Sequence, residues 1–294
     1  MLAMVPMIQS GCGLNFGLPL GIIAGLLGAC ISLELDVTGM FGFGVAILIS
    51  IPFALLFGWL YAQILNRVKG SEMMIATYVG FFAVAMMCLG WMLLPFKSPY
   101  MIWGYGGEGL RTTVSVEAHW MHVLNDFLSI RIGERFFFPT GMFLFLAMMC
   151  AAVHFFMRTK SGAAMAAVGT NPDFARAAGV SVDKMRTLSV MMSTVIGAIG
   201  ILVYEQSFGF IQLYMAPFYM AFPAVAAILL GGASIRKAGL ANVIIGTLLF
   251  QGVVTMTPSV INSLIESDMS EVLRIIVSNG MILYALTRKE IVKR

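Results

Sequence analysis

Long apolar runs recur along the chain, separated by short polar turns. Each is close to the length needed to cross a hydrocarbon core of ~30 Å. They predict spans near 14–33, 40–63, 72–95, 138–157, 187–205, 214–231, 239–256 and 271–287. Residues 1–9 are also apolar but too short to cross alone. Two polar stretches break the rhythm: a long one at 96–137, and RTKSGAAMAAVGTNPDFARAAGVSVDKMR at 158–186. The second is written as a short capped helix. Asn171 is suited to cap, Pro172 to the first helical position, and Gly179 to the left-handed exit. At 1.5 Å per residue, positions 172–178 make a rod of roughly 10 Å, too short to cross and suited to lie on the surface.

Composition agrees with the pattern. The chain has 294 residues, 60% of them hydrophobic and 11% charged, with mean hydropathy +0.92. The expected fold class is therefore all-α: a polytopic membrane protein of about eight transmembrane helices, with residues 1–294 forming a single transmembrane domain. Charge sets the expected orientation. Segment 158–186 holds Arg158, Lys160, Arg176, Lys184 and Arg186, and the tail holds Arg288, Lys289, Lys293 and Arg294. With both inside, as basic loops should be, alternation also brings Arg67/Lys69 and Arg236/Lys237 inside. The turn with Glu34 and Asp36, the loop 96–137, and the turn with Glu266, Asp268 and Glu271 fall outside. The net charge of +4 then reflects topology and needs no nucleic acid. The start, MLAMVPMIQSG, lacks a basic n-region and a cleavage site, so insertion relies on the spans.

Several motifs are set aside on context. Gly104, Gly106 and Gly109 spell G-x-G-x-x-G, but follow a span rather than a strand, which reads as a loop. His119 and His122 lack a third ligand and read as solvated surface residues rather than a metal site. Cys12, Cys30, Cys88 and Cys150 stand singly in or beside apolar runs and read as small core residues. No P-loop and no nucleophile–base grouping is written anywhere, so the chain is not expected to be an enzyme or to bind a cofactor. In the loop 96–137, Val116, Trp120, Val123/Leu124 and Phe127 have near-helical spacing. They predict an amphipathic helix on the outer interface with Trp120 as anchor, or a docking ledge for an extracytoplasmic partner.

Gly17, Gly21, Gly25 and Gly28 predict close helix packing in lipid, the alternative being a thin wall beside a translocation path. Pro19, Pro52 and Pro223 are expected to interrupt spans, and the first half of 207–223 to be irregular. Asn15, Tyr204, Gln206, Gln212 and Tyr214 are candidate polar groups on a path for a hydroxylated solute, against an interface-belt role for the tyrosines. Nearly all 14 acids fall in loops or span ends, with Glu205 expected at the outer border. Ion-coupled pumps usually need a buried carboxylate, so the chain is expected to lack its own energy source. A self-contained ion-coupled secondary transporter is the alternative.

Segment AVGTNPDFARAAGVSVDKMR resembles the cytoplasmic coupling segment of ABC-importer permeases of the ribose/branched-chain amino acid type. The match to the family's G-x-N-P-x-x-A-R-x-x-G pattern is Gly169, Asn171, Pro172, Ala175, Arg176 and Gly179, with Asp173 on the same helix. Downstream, AAILLGGASI resembles the family's small-residue turn, at Gly231, Gly232 and Ser234, although Ile235-Arg236-Lys237 stand where further glycines are usual. The resemblance covers most of the chain, its specific motifs only 165–240. It implies a permease in a bacterial cytoplasmic membrane, with its C-terminus cytoplasmic. A second permease subunit, identical or homologous, two cytosolic ATP-binding subunits and an extracytoplasmic solute-binding protein are the implied partners. ATP and Mg²⁺ belong to the ATPase partner. The implied solute is small and polar: the sparse ionisable groups favour an uncharged one, a simple sugar first and a nucleoside next. The resemblance also implies a complete span before MIQSGCGLNFG, where residues 1–9 stand here.

Overall fold

The computed structural model describes residues 1–68, 70–102, 109–132, 136–235, 237–264 and 270–291. Lys69, Gly104, Gly106, Arg236, Glu266, Asp268, Lys293 and Arg294, all named above, lie outside the described residues. In order, the helices before the long loop are α1 (Met4–Gln9), α2 (Leu18–Glu34), α3 (Gly39–Arg67) and α4 (Glu72–Leu93). The loop contains β1 (Thr113–Ser115), α5 (Val123–Asp126), β2 (Ile130–Ile132) and β3 (Phe136–Phe138). Then follow α6 (Thr140–Arg158), α7 (Lys160–Thr170), α8 (Pro172–Ala177), α9 (Val182–Phe208), β4 (Phe210–Gln212), α10 (Ala216–Leu230), α11 (Leu240–Leu264) and α12 (Ser270–Ile291).

The eight predicted spans fall on α2, α3, α4, α6, α9, α10, α11 and α12, and the molecule is an all-α polytopic membrane protein. Among the described residues, five helices are long and apolar enough to cross a bilayer: α3, α4, α6, α9 and the Leu240–Pro258 part of α11. The other three apolar helices are shorter. Of these, α2 is buried along nearly its whole length, so it meets other helices where the long ones expose Leu48, Phe82, Leu144 and Leu248. Exposed leucines and phenylalanines on the long helices are what lipid-facing surface requires.

The centre is α2 packed between α3 and α9, and the glycine ridge is the reason it fits. A Cβ at Gly21 would meet the Thr194 carbonyl, and one at Gly25 the Ala198 carbonyl and Ile201, both on α9. On the other side Gly17 abuts Tyr61, and Gly28 abuts Ala46 and Ser50, all on α3. The close-packing reading holds. Burial of apolar surface gives little drive between helices in lipid, so contact at backbone distance and interhelical hydrogen bonds supply it. Thr194 adds one such bond, donating to the Ala54 carbonyl of α3 at 2.9 Å.

The prolines differ from expectation. Pro19 lies in the first turn of α2, where its missing N–H is no loss. Pro52 and Pro223 sit inside continuous helices, α3 and α10. By contrast, 207–223 is irregular in its first half, as expected: α9 ends at Gly209 (φ 81°), β4 follows, and Tyr214 takes φ 33° before α10 starts.

The loop before α6 is a correction. Its only described helix in the predicted stretch is the four-residue α5. Trp120 is fully buried, with its ring 6.0 Å from that of Phe43, so it does not anchor at an interface. The spacing is helical, but the segment instead folds down onto the bundle as β1 pairs antiparallel with β4. His119 is buried too, with Nε2 3.0 Å from Asp36 Oδ1, and His122 contacts the Ser207 carbonyl at 3.1 Å. The solvated reading of the two histidines is thus corrected: each ties the loop to an adjacent helix end. Among the described residues no group of three or more His, Cys, Asp and Glu is placed to hold a metal.

Candidate coupling face and candidate path

The structure sorts the polar segments onto two ends. At one end the Glu34 carboxylate accepts the N–H groups of Lys97 (3.1 Å) and Ser98 (3.0 Å), joining the acidic turn to the long loop. At the other end Asn66 donates to the Asp183 carbonyl and to Thr187, bringing the α3–α4 turn to the start of α9. For these described segments the grouping agrees with the one expected from loop charge.

The second end carries the motif of segment 158–186. Asn171 Oδ1 accepts the N–H of Asp173 (3.1 Å) and Phe174 (3.0 Å), Pro172 takes the first turn, and Gly179 exits at φ 80°. Such a cap is worth about 1 kcal/mol. Ala175 is buried against Val168 and Val182, which seats α8 on its stem, the end of α7 and the start of α9. Its outer face presents Phe174, 69% exposed, beside an Arg176–Asp173 pair at 2.8 Å. An exposed pair of this kind contributes at most about 1 kcal/mol, so it shapes a surface more than it stabilises one. Helix α7, written in KSGAAMAAVGT, is not marked by the sequence, because its small residues give no amphipathic pattern.

Gly169 has a defined steric duty. A Cβ there would collide with the Gln9 carbonyl at the end of α1, and Gly11 (φ 78°) lies against its Cα. Gln9 then reaches onward, Nε2 donating to the Ala238 carbonyl at 2.7 Å. That carbonyl belongs to the small-residue turn after α10. There Gly231 packs against the Asn242 backbone, Gly232 adopts φ 84°, and Lys237 N–H donates to Ser234 Oγ at 2.9 Å. Asn242 closes the turn, donating to the Gly231 carbonyl (2.8 Å) and accepting from Gly239 N–H (2.9 Å). The two resemblance motifs, 60 residues apart in sequence, are thus bridged by Gln9, which nothing in the sequence marked.

The same end is locked to α9. Arg186, nearly buried, donates to Glu72 Oε1 at 2.6 Å and to Cys12 Sγ at 3.3 Å. Ser10 and Ser189 share a hydrogen bond of 2.6 Å, and Ser193 donates to the Ala3 carbonyl at 2.6 Å. Buried hydroxyl pairs of this kind are worth about 1–2 kcal/mol at most between helices in lipid.

The path candidates separate into two groups. Asn15 is fully buried, donating to Ser193 (2.7 Å) and accepting from Tyr61 (3.3 Å), so it is a packing bond at the core. Gln206 is also buried and holds the long loop, accepting Leu124 N–H and donating to Asn125. Tyr214 donates to the Leu110 carbonyl at 2.9 Å. These three are engaged inside the fold. Tyr204 and Gln212 instead come together on a small cavity between the end of α9 and the start of α10. Glu205 lines it too, and corrects its expected place at the border: it is 1% exposed, and neither carboxylate oxygen has a hydrogen-bond partner among the described residues. Leaving a buried polar group unpaired costs about 1–3 kcal/mol, more when charged.

A polytopic helical bundle with a capped surface helix, tied through Gln9 to a small-residue turn, has the build of a membrane permease component. The chain belongs to the family described as branched-chain amino acid transport system / permease component, whose model matches residues 13–286. It is 27% identical over 166 residues to the nucleoside ABC transporter permease protein NupB of Lactococcus lactis subsp. cremoris (strain MG1363). That match takes in 55% of this chain and 42% of the relative's length. No solved structure matches this chain.

Proposed function

We propose that this chain is the membrane-spanning permease subunit of an ATP-binding-cassette importer, passing a small, polar, uncharged solute inward. The observation that carries this reading is α8: a surface helix capped at both ends, rooted through Ala175 and presenting Phe174, Asp173 and Arg176 outward. In the proposed mechanism a cytosolic ATP-binding subunit grips that face, and hydrolysis occurs there with its own ATP and Mg²⁺. Closure of the ATPase pair moves α8, and its stem transmits the motion to α9 and, through Gln9, to the turn before α11. A second permease subunit and an extracytoplasmic solute-binding protein complete the assembly, in a bacterial cytoplasmic membrane with the C-terminus inside. The name of the nucleoside permease relative supports a nucleoside beside a simple sugar as the solute class. The sparse ionisable groups support neutrality.

Asn171→Pro and Arg176→Glu are expected to abolish uptake while leaving membrane insertion and amount unchanged. Radiolabelled solute uptake and membrane blots check this, together with capture of the ATP-binding subunit in mild detergent. Normal uptake by both variants would remove α8 from the mechanism.

A further inference from the structure

Resting on the importer reading, we propose that Glu205 is a solute-recognition group: its carboxylate accepts hydrogen bonds from vicinal hydroxyls of a neutral sugar or ribosyl solute, in a site formed with Tyr204, Phe208, Phe210 and Gln212. The cavity beside Glu205 lies between the last turns of α9 and the segment leading into α10, and is lined by Glu205, Tyr204, Phe210, Gln212 and Met220. Glu205 forms its buried wall, and Gln212 is exposed at the rim. A carboxyl with both oxygens unpartnered and 1% exposed is poorly compensated by its own fold. Buried polar groups are otherwise almost always paired, so exceptions of this kind point to a partner that arrives.

The surroundings select the partner's chemistry. A divalent or alkali cation wants several oxygen ligands at once, and among the described residues Glu205 belongs to no group of three or more His, Cys, Asp and Glu placed to hold one. The neighbours are instead an amide, Gln212, and aromatic rings. Tyr204 stacks on Phe208 with centroids 4.3 Å apart, and Phe210 stands edge-on to Phe208 at 6.2 Å. Acceptor oxygens beside aromatic faces suit a ligand with hydroxyl donors and an apolar ring face, since neutral solutes are held by a few convergent polar groups in an apolar wall.

In this conformation the cavity has room for about one water. Solute entry therefore requires the end of α9 to part from the β4–α10 segment. That segment is pinned to the long loop by the β1–β4 pairing and by Tyr214 bonding to Leu110, so displacing the loop is a route to opening the site. In the importer reading this is the end at which a solute-binding protein delivers.

The test compares wild type with Glu205→Gln and Glu205→Ala on two readouts. Thermal stabilisation of the purified chain in detergent by uridine, 2′-deoxyuridine, ribose and 2-deoxyribose reads the site without any ATPase. Competition uptake in membranes containing the full assembly reads it in function. Wild type should favour uridine over 2′-deoxyuridine by about 5- to 100-fold, the cost of leaving a buried acceptor unpaired. Glu205→Gln and Glu205→Ala should each erase most of that preference. An unaltered diol preference in Glu205→Gln, or no stabilisation of wild type by any of the four solutes, overturns the assignment. So does a variant that loses only a response to sodium or proton gradients, which would make Glu205 an ion site. If stabilisation depends on Glu205 but wild-type uptake needs no ATP, the site stands and the importer reading fails.

Discussion

At Gly169 a single hydrogen in place of a side chain decides how the surface segment meets the rest of the protein. Because the Gln9 carbonyl occupies the place a Cβ would take, Gly169→Val must push α1 and α7 apart. Overpacking of this kind costs about 1–3 kcal/mol. The expected result is a lower unfolding temperature in detergent, by a few degrees, with weaker uptake; an unchanged temperature would show that the contact is loose. Asn171, Pro172 and Gly179 were legible from sequence because a cap, a first-turn proline and a left-handed exit act over a few residues. Asn15, Gln206 and Tyr214 were not, since a polar residue in an apolar run looks the same whether it faces a path or a neighbouring helix. Their partners, Ser193, Leu124 and Leu110, are remote in sequence.

Among the elements, α1 changes most in standing. As a sequence it belongs to an apolar stretch, 1–9, too short to cross; in the fold its five apolar residues are buried and it sits between α7, α9 and the turn before α11. Its Gln9 side chain bonds directly to that turn, from an element that packs against α7. Gln9→Ala is therefore expected to leave insertion and ATPase docking intact while reducing solute moved per ATP hydrolysed severalfold. Parallel uptake and phosphate-release assays check this; an unchanged ratio would assign Gln9 to packing alone. The loop before α6 shows why element-scale reading fails where pairing is long-range. Helical spacing of Val116, Trp120 and Leu124 was real, but β1 finds its partner β4 nearly a hundred residues later, and Trp120 is drawn under the loop.

Over the whole molecule, two ends with different chemistry face apart. Acidic Glu34 and Asp36 join the long loop at one end, and Arg186 with the α7–α8 segment lies at the other. If basic loops are cytosolic, a cysteine placed at Lys160 in a cysteine-free background should be labelled by an impermeant maleimide only after the membrane is opened. One at Glu117 should be labelled on intact cells, both positions being exposed. The reverse pattern would invert the proposed direction of coupling. The sequence by itself determined the membrane class, the placing of the apolar helices and the capped helix, because hydrophobic length and capping are local quantities. The tertiary structure alone decided which polar groups meet: that Gln9 bridges two distant turns, that His119 and Trp120 are buried, and that Glu205 is left unpaired beside a cavity. Those outcomes depend on which helices pack together, and apolar runs that all satisfy lipid equally well carry little information about their neighbours.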